Sequence, residues 1–266
     1  MDRQFLVDQI KEKKSFLCVG LDTDADKIPV YLKKSKQSLF EFNRQIIDET
    51  IDHCVAYKIN TAFYEAHGSA GWEQMQKTVE YIPFSHFKIA DAKRGDIGNT
   101  SHQYAKAFFQ NLSFDAITVS PYMGSDSIMP FLSFKNKWTI VLALTSNEGS
   151  KDFEQKRIGQ NFLYETVIQT AIKWGTPGNL MFVVGATKAT DLKKIRKIIP
   201  DHFLLIPGVG SQGGNLEDVV RYGLNEDVGL LVNVSREIIY AGNGEDFAKE
   251  AGKIAKRYHT EMKSYL

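Results

Sequence analysis

The chain has 266 residues, of which 43% are hydrophobic and 24% are charged. This composition is typical of a folded globular protein and excludes extensive disorder. The formal net charge is only +1 at pH 7, so no strong overall charge favours nucleic acid or an anionic membrane as a partner.

The amino-terminal segment 1–15 alternates charged and apolar residues and has no continuous apolar core of the kind that a signal peptide carries. No run approaches 18 apolar residues, and we therefore expect no transmembrane helix. The two cysteines, Cys18 and Cys54, lie inside apolar runs, which favours buried free thiols in a reducing compartment over a disulfide framework. These features predict a cytoplasmic protein.

Eight short apolar runs, rich in β-branched residues, recur along the chain. They cover residues 16–22, 54–60, 86–93, 116–121, 138–146, 180–186, 203–209 and 228–235. Nearly continuous apolar strands indicate burial on both faces and therefore parallel pairing. The starts of successive runs lie 22 to 42 residues apart, which leaves room for a helix between each strand and the next.

Segments between these runs show apolar residues at helical spacing, most clearly at 38–51, 161–174 and 190–199. Gly175 is a suitable helix stop after the second of them. No Ser/Gly-rich linker or break in composition divides the chain. The pattern predicts a single domain over residues 1–266, folded as an α/β (β/α)8 TIM barrel of ordinary length. A doubly wound parallel sheet is the structural alternative.

Polar residues accumulate where the predicted strands end, which is where active sites of such barrels lie. They are Asp22, Lys58, Asn60, Asp91, Lys93, Thr145, Ser146, Gly208, Gly210, Gln212, Ser235 and Arg236. A buried charge without a partner is costly, and opposite charges that converge on a ligand give a reason to keep them there.

The densest cluster is DAKRGDIGNT, residues 91–100. Side chains alternate along a strand, so Asp91 and Lys93 are expected on one face, and Lys58 joins them if the preceding strand is in matching register. The glycines of the segment GDIG allow a sharp turn that carries Asp96 into or beyond the barrel mouth. A structural ion pair followed by an ordinary turn is the alternative interpretation, and the neighbouring lysine argues against it.

A second cluster is PGVGSQGG, residues 207–214. Its glycines allow backbone N–H groups to converge on an anion, and Gln212 adds a side-chain donor. Arg236 follows the last strand, where Ser235 is placed to cap the next helix. Because phosphate sites in these barrels are often built after strands seven and eight, a phosphate site is favoured over a simple turn.

Other chemistries have little support. The six histidines show no compact metal-ligand spacing, and Glu65 with His67 is better explained as a polar loop than as a metal site. GxGxxG, GxxxxGK[ST] and GxSxG are all absent from the sequence. We therefore predict no metal and no nucleophilic serine.

The motif Asp91-x-Lys93-x-x-Asp96, with Lys58 and Asp22 on the two preceding strands, resembles the orotidine 5′-phosphate decarboxylase family. The longer match, with DAKRGDIGNTS, KINTAFYE, ALTSNEG, PGVGSQGG and NVSREIIYA, is similar to the longer bacterial form and runs from about residue 15 to 245. Two departures are Ile59, where proline is common, and the segment 234–237, where smaller residues are usual beside Arg236.

The resemblance implies decarboxylation of orotidine 5′-phosphate to uridine 5′-phosphate and CO2, the last step of de novo UMP synthesis, without metal or organic cofactor. It implies a homodimer in which Lys58, Asp91, Lys93 and Asp96 form a charge network, with Asp96 supplied by the partner subunit and Lys93 protonating C6. It further implies that Asp22 binds the ribose hydroxyls. The remaining implied substrate contacts are Thr145 or Ser146 at the pyrimidine, Gln212 and Arg236 at the phosphate, and Asn60, Thr100 and Gly210.

Alternative functions share parts of this pattern. A 3-keto-gulonate-phosphate decarboxylase or hexulose-phosphate synthase has the same DxKxxD motif but uses Mg²⁺. A non-catalytic sensor of nucleotide phosphates is expected to have lost a lysine or a carboxylate of the charge network, and none is lost here. A purely structural or interaction module explains the motifs least well.

Overall fold

In the computed structural model, which describes residues 1–210 and 213–266, eight parallel strands close into a barrel. The barrel strands are β1 (Leu17–Gly20), β2 (Ala56–Asn60), β3 (Phe87–Arg94), β4 (Ala116–Val119), β5 (Trp138–Leu144), β6 (Leu180–Val184), β7 (Phe203–Pro207) and β8 (Leu230–Val234). Each strand pairs with its neighbours in the chain, and β1 pairs with β8 to close the ring. The TIM-barrel prediction is confirmed, and the doubly wound alternative is wrong because the sheet has no open edge.

Helices alternate with these strands. They are α1 (Arg3–Lys13), α2 (Ser38–Thr50), α3 (Ala62–Glu65), α4 (Gly68–Tyr81), α5 (Gly98–Lys106), α6 (Ser125–Leu132), α7 (Leu163–Ala171), α8 (Ala189–Ile198), α9 (Leu216–Gly223), α10 (Arg236–Ile239) and α11 (Phe247–Lys263). Short 3-10 turns cover Leu32–Lys34, Glu148–Lys151 and Ala186–Lys188, and a π-helical turn covers Ala107–Asn111. The helices predicted at 38–51 and 190–199 are confirmed within one residue at each end.

The helix predicted from residue 161 begins later. Asn161–Phe162 pairs instead with Arg157–Ile158 in a small antiparallel hairpin outside the barrel. α7 then begins at Leu163, where the Glu165 carboxylate accepts a hydrogen bond of 2.7 Å from the backbone N–H of Phe162. This contact satisfies a donor that the first helical turn leaves free, and it fixes the start of the helix.

Every residue of β1, β4, β6 and β8 is buried, as the continuous apolar runs predicted, whereas residues 91–94 at the end of β3 are partly exposed. Cys18 and Cys54 are among the buried residues, and neither forms a disulfide in the described chain. Burial raises the pKa of the Cys54 thiol to about 12, so it is protonated at neutral pH. None of the helices described here has the length and apolar character needed to cross a membrane.

Candidate active site

A pocket of about 200 Å³ opens at the carboxyl ends of the barrel strands. It is lined by Asp22, Lys58, Asn60, Asp91, Pro207, Gly208, Val209, Asn233, Ser235 and Arg236. Residues predicted from β1, β2, β3 and β8 therefore meet in one cavity. A larger pocket of about 440 Å³ lies at the amino ends of β3 to β5 and contains none of the predicted site residues. Because the chemistry-bearing side chains converge in the smaller pocket, we take that pocket as the candidate site.

Lys58 lies at the centre of the charged cluster. Its side chain is only 4% exposed, and its Nζ donates to Asp22 Oδ1 at 3.2 Å and to Asp91 Oδ2 at 2.9 Å. Burial by itself would lower the pKa of this lysine, but the two adjacent carboxylates outweigh burial and raise the pKa above its usual value. Lys58 is therefore a fixed positive charge at neutral pH.

Asp91 links two lysines. Its Oδ1 accepts a hydrogen bond of 2.5 Å from Lys93 Nζ, on the other side of the carboxylate from Lys58. Burial opposes ionisation of this carboxyl, yet the Lys58 and Lys93 ammonium groups hold its pKa well below the usual range. The Asp91 side chain is 13% exposed and that of Lys93 is 50% exposed. The cluster thus has a fixed, ionised centre and one ammonium that reaches solvent.

The backbone of β3 is irregular where these residues lie. Ala90 faces Ile117 of β4 and Arg94 faces Val119, so the three residues 91–93 lie opposite a single residue of β4. Lys93 has a φ of 46°, a left-handed conformation that costs a residue with a side chain about 1–2 kcal/mol. The predicted meeting of Asp91 and Lys93 therefore occurs through a bulge, a feature common beside active sites, rather than through simple alternation.

The loop that carries Asp22 is held by two tyrosine hydroxyls. Tyr64 donates to the backbone carbonyl of Leu21 at 3.1 Å, and Tyr240 donates to the carbonyl of Asp22 at 3.0 Å. Tyr240 also accepts a hydrogen bond of 2.7 Å from the N–H of Asp24. The backbone at Asp22 is therefore fixed by contacts that do not involve its carboxylate.

Asp96 and Thr100 do not line this pocket. The Asp96 carboxylate accepts a hydrogen bond of 2.7 Å from the N–H of Ile97, and among the residues described no ion pair joins it to Lys93. Thr100 lies exposed in α5, and Ile97 is 53% exposed. Within one chain, the structure brings three members of the charge network together and leaves the half-buried Asp96 outside the pocket.

Gly210 and Gly214, in the glycine-rich segment after β7, pack closely against neighbouring residues. Gly208 and Gly210 have φ values of 97° and 76°, and a Cβ at Gly210 would overlap the carboxylate of Glu237. The Gly214 N–H donates to the Gly208 carbonyl at 3.0 Å, which closes the base of the loop. Gln212 lies outside the described residues, and Gly210 does not line the pocket.

Arg236 is exposed at the start of α10 and lines the pocket. Ser235 occupies the N-cap position, but the prediction that it caps α10 is wrong, because its side chain makes no capping hydrogen bond within the described loop. Its Oγ instead accepts from Asn233 Nδ2 at 3.1 Å. α10 is a single turn, and Ser235 contributes to the pocket wall.

Thr145 and Ser146 follow β5 and do not line this pocket. The Thr145 N–H and hydroxyl donate to the Glu154 carboxylate at 2.7 and 2.9 Å. Ser146 packs against Gly185, where a Cβ would lie 2.8 Å from the Ser146 Cβ. Glu154, which no sequence motif indicated, therefore connects the end of β5 to the loop that follows it.

Two further polar residues at the site were missed. Asn233 is buried in the pocket wall, and its Oδ1 has no partner among the residues described. Thr118 is buried on β4, and its hydroxyl contacts both Asp91 and Lys93. The available signal was a polar residue inside an otherwise apolar strand, which is a weak signal for threonine because threonine is common in strands.

Comparison with known proteins gives one consistent family. The sequence profile of the "Orotidine 5'-phosphate decarboxylase / HUMPS family" matches residues 15–251. The orotidine 5′-phosphate decarboxylase of Christiangramia forsetii is 58% identical over 269 residues, covering 100% of this chain and 99% of that protein. The solved Leishmania donovani OMP decarboxylase has a TM-score of 0.81 at 36% identity, with 96% and 98% of the two chains covered. The Leishmania donovani UMP synthase has a TM-score of 0.84 at 38% identity; 96% of this chain is covered, but only 56% of that longer chain.

Proposed function

The chain belongs to the orotidine 5′-phosphate decarboxylase family, and we propose that its charge network carries out the chemistry. The protein is a carboxy-lyase that converts orotidine 5′-phosphate to uridine 5′-phosphate and CO2. The observation that supports this assignment is the continuous ion chain from Lys58 through Asp91 to Lys93 at the barrel mouth. We further propose that residues 1–266 act as one barrel domain.

The reaction breaks the bond between C6 of the pyrimidine and its carboxylate. CO2 leaves, the electron pair stays on C6, and a proton from Lys93 Nζ then forms the new C6–H bond. The carbanion has no conventional electron sink, so its stabilisation is electrostatic. Asp91 stays ionised and repels the substrate carboxylate, while the Lys93 ammonium attracts the developing charge at C6. Lys58 is the buried ammonium that holds Asp91 in place.

The attraction between the Lys93 ammonium and the charge developing at C6 is too weak to account for the whole rate acceleration. Two unit charges 4 Å apart interact by about 4 kcal/mol at an effective dielectric constant near 20. Enzymatic acceleration requires roughly 8–23 kcal/mol. Binding energy from the phosphate and ribose must therefore contribute, by organising a closed site from which water is excluded.

Substrate contacts follow from the same arrangement. We propose that the Asp22 carboxylate accepts from the ribose hydroxyls, since it lies beside Lys58 in the pocket wall. Arg236 follows β8, the strand that pairs with β1, and lines the same pocket. It is assigned to the phosphate with Gln212 and the Gly210 backbone. Thr145 or Ser146 is assigned to the pyrimidine, and Asn60 and Thr100 complete the proposed contacts.

Arg236→Ala should raise KM strongly and lower kcat/KM, because phosphate binding energy is proposed to organise the site. Loss of a bidentate, charge-assisted contact predicts a fall in kcat/KM of roughly 10- to 100-fold or more. Steady-state kinetics and titration with uridine 5′-phosphate measure both effects. Unchanged nucleotide affinity in this variant would assign the phosphate to another part of the protein.

We also propose a cytoplasmic homodimer in which each site receives Asp96 from the partner subunit. Asp96 is half-buried outside the pocket, and the residue next to it, Ile97, is exposed. Met123 is 48% exposed, and its Cε would lie 3.9 Å from a Cβ at Gly95, so a second apolar side chain borders the same segment. Burial of exposed apolar groups is a common driving force for subunit association.

The function is tested by incubating the protein with orotidine 5′-phosphate after exhaustive treatment with EDTA. We expect uridine 5′-phosphate at an undiminished rate. Parallel reactions supply a 3-keto-gulonate phosphate with added Mg²⁺, and we expect no turnover there. Activity that requires Mg²⁺ and a sugar phosphate would favour the metal-dependent members of the DxKxxD group. Nucleotide binding with no turnover would favour a sensor.

A further inference from the structure

The strongest feature outside the assigned residues is a single hydroxyl that contacts two members of the charge network. Thr118 Oγ1 accepts a hydrogen bond of 2.9 Å from the backbone N–H of Lys93 and donates one of 3.1 Å to Asp91 Oδ1. We infer that Thr118 is a positioning residue that sets the geometry of the Asp91–Lys93 ion pair. This inference rests on the proposed roles of those two residues.

The strand register explains why a side chain is needed here. Residues 91–93 of β3 interrupt the regular pairing with β4, and Thr118 is the one residue of β4 opposite them. A bulge disrupts the ladder of backbone hydrogen bonds and leaves a residue without its usual partner. The Thr118 hydroxyl takes the place of that partner for the Lys93 N–H. It thereby supports a lysine backbone that has a left-handed φ of 46°.

The direction of both hydrogen bonds is fixed by chemistry. Asp91 is ionised because its two lysine neighbours lower its pKa, and an ionised carboxylate only accepts hydrogen bonds. The hydroxyl proton of Thr118 must therefore point at Asp91, which leaves its lone pairs for the Lys93 N–H. Thr118 is 1% exposed, so water does not readily replace the hydroxyl if it is removed.

Removing the hydroxyl should affect turnover more than binding. The residues assigned to ribose and phosphate follow β1, β7 and β8, whereas Thr118 contacts only the Asp91–Lys93 pair of β3 within the described site. Lys93 acts on the developing carbanion, so an error in its position is felt in the transition state rather than in the ground state. A purely structural threonine would not produce that separation.

The chain offers a matched control on the neighbouring strand. Thr139 of β5 is fully buried, and its Oγ1 has no hydrogen-bond partner among the residues described. It lies opposite Ile117, the residue next to Thr118. Thr139→Val and Thr118→Val each replace a buried hydroxyl with a methyl group of similar size. Only the second change breaks contacts to the charge network.

The test compares Thr118→Val, Thr118→Ser, Thr118→Ala and Thr139→Val with the wild type, using orotidine 5′-phosphate as substrate. Thr118→Val should lower kcat about 10- to 100-fold, the effect expected from losing a hydrogen bond to an ionised group, with KM and uridine 5′-phosphate affinity changed by less than about 3-fold. Thr118→Ser should stay within about 3-fold of wild type, because it keeps the hydroxyl. Thr139→Val should match wild type.

Thermal unfolding is measured for each variant. If Thr118→Val does not fold, the Ser and Ala pair still isolates the hydroxyl, and Ala should show the loss in kcat relative to Ser. The inference is overturned if Thr118→Val and Thr118→Ala turn over at the wild-type rate, or if their losses appear equally in KM. A wild-type protein inactive on orotidine 5′-phosphate would instead contradict the proposed function itself, which separates the two failures.

Discussion

Lys93→Ala should lose nearly all turnover while still binding uridine 5′-phosphate measurably. The proposed role of Lys93 is to stabilise the carbanion and then protonate it, so its contribution is made mainly in the transition state. General-acid catalysis alone contributes about 10²–10⁴-fold, and the lost electrostatic stabilisation adds to it, which predicts a fall in kcat of at least roughly 10³-fold. Single-turnover kinetics and calorimetric titration with uridine 5′-phosphate measure the two properties separately.

The control for this variant is Lys135→Ala, which removes an exposed lysine before the amino end of β5, far from the carboxyl ends of the strands. It should behave as wild type in both assays. Activity of Lys93→Ala near the wild-type level would remove Lys93 from the mechanism. Loss of nucleotide binding in proportion to turnover would mean that Lys93 acts in the ground state.

Mixing two inactive variants should restore activity if Asp96 enters the partner's site. Lys93→Ala and Asp96→Asn are each expected to be nearly inactive when prepared alone. In a mixed dimer, one site lacks both groups, whereas the other has its own Lys93 and an intact Asp96 from the partner. Random assortment after unfolding and refolding together makes about half of the dimers mixed, so about a quarter of all sites should recover full activity.

A second mixture provides the matched control. Lys93 and Asp91 of one chain are joined at 2.5 Å, so both belong to the same site. Mixing Lys93→Ala with Asp91→Asn should therefore restore nothing, because each site of the mixed dimer keeps one damaged residue. If the first mixture also stays inactive while mass spectrometry shows that mixed dimers formed, Asp96 acts within its own chain and the shared site is refuted.

The barrel was predictable because parallel strands covered on both faces leave continuous apolar runs in the sequence, and each of the eight runs forms a strand. The small hairpin of Arg157–Ile158 and Asn161–Phe162 was not predictable in the same way. Its strands have two residues each, too few to show a period of two, and Phe162 fits the helical stripe of the segment that follows.

The predicted proximity of Lys58, Asp91 and Lys93 matches their arrangement in the structure. The backbone conformation that brings Asp91 and Lys93 together, however, is a bulge and not the regular alternation of a strand. The sequence carries no sign of the bulge at residues 91–93, because the left-handed position is occupied by a lysine rather than a glycine. The role inferred for Thr118 depends on that bulge, since only the shifted register places its hydroxyl between Asp91 and Lys93. A threonine in a strand is otherwise unremarkable from the sequence.

The proposed site decarboxylates orotidine 5′-phosphate and then protonates the carbanion at C6. Both steps can be followed by running the reaction in D2O with the EDTA-treated protein and examining the product by NMR. We expect one uridine 5′-phosphate for each CO2 released, with deuterium at C6 of the product, because the exchangeable ammonium of Lys93 supplies the new hydrogen. No release of CO2 from orotidine 5′-phosphate, or a product with protium at C6, would contradict the proposed chemistry.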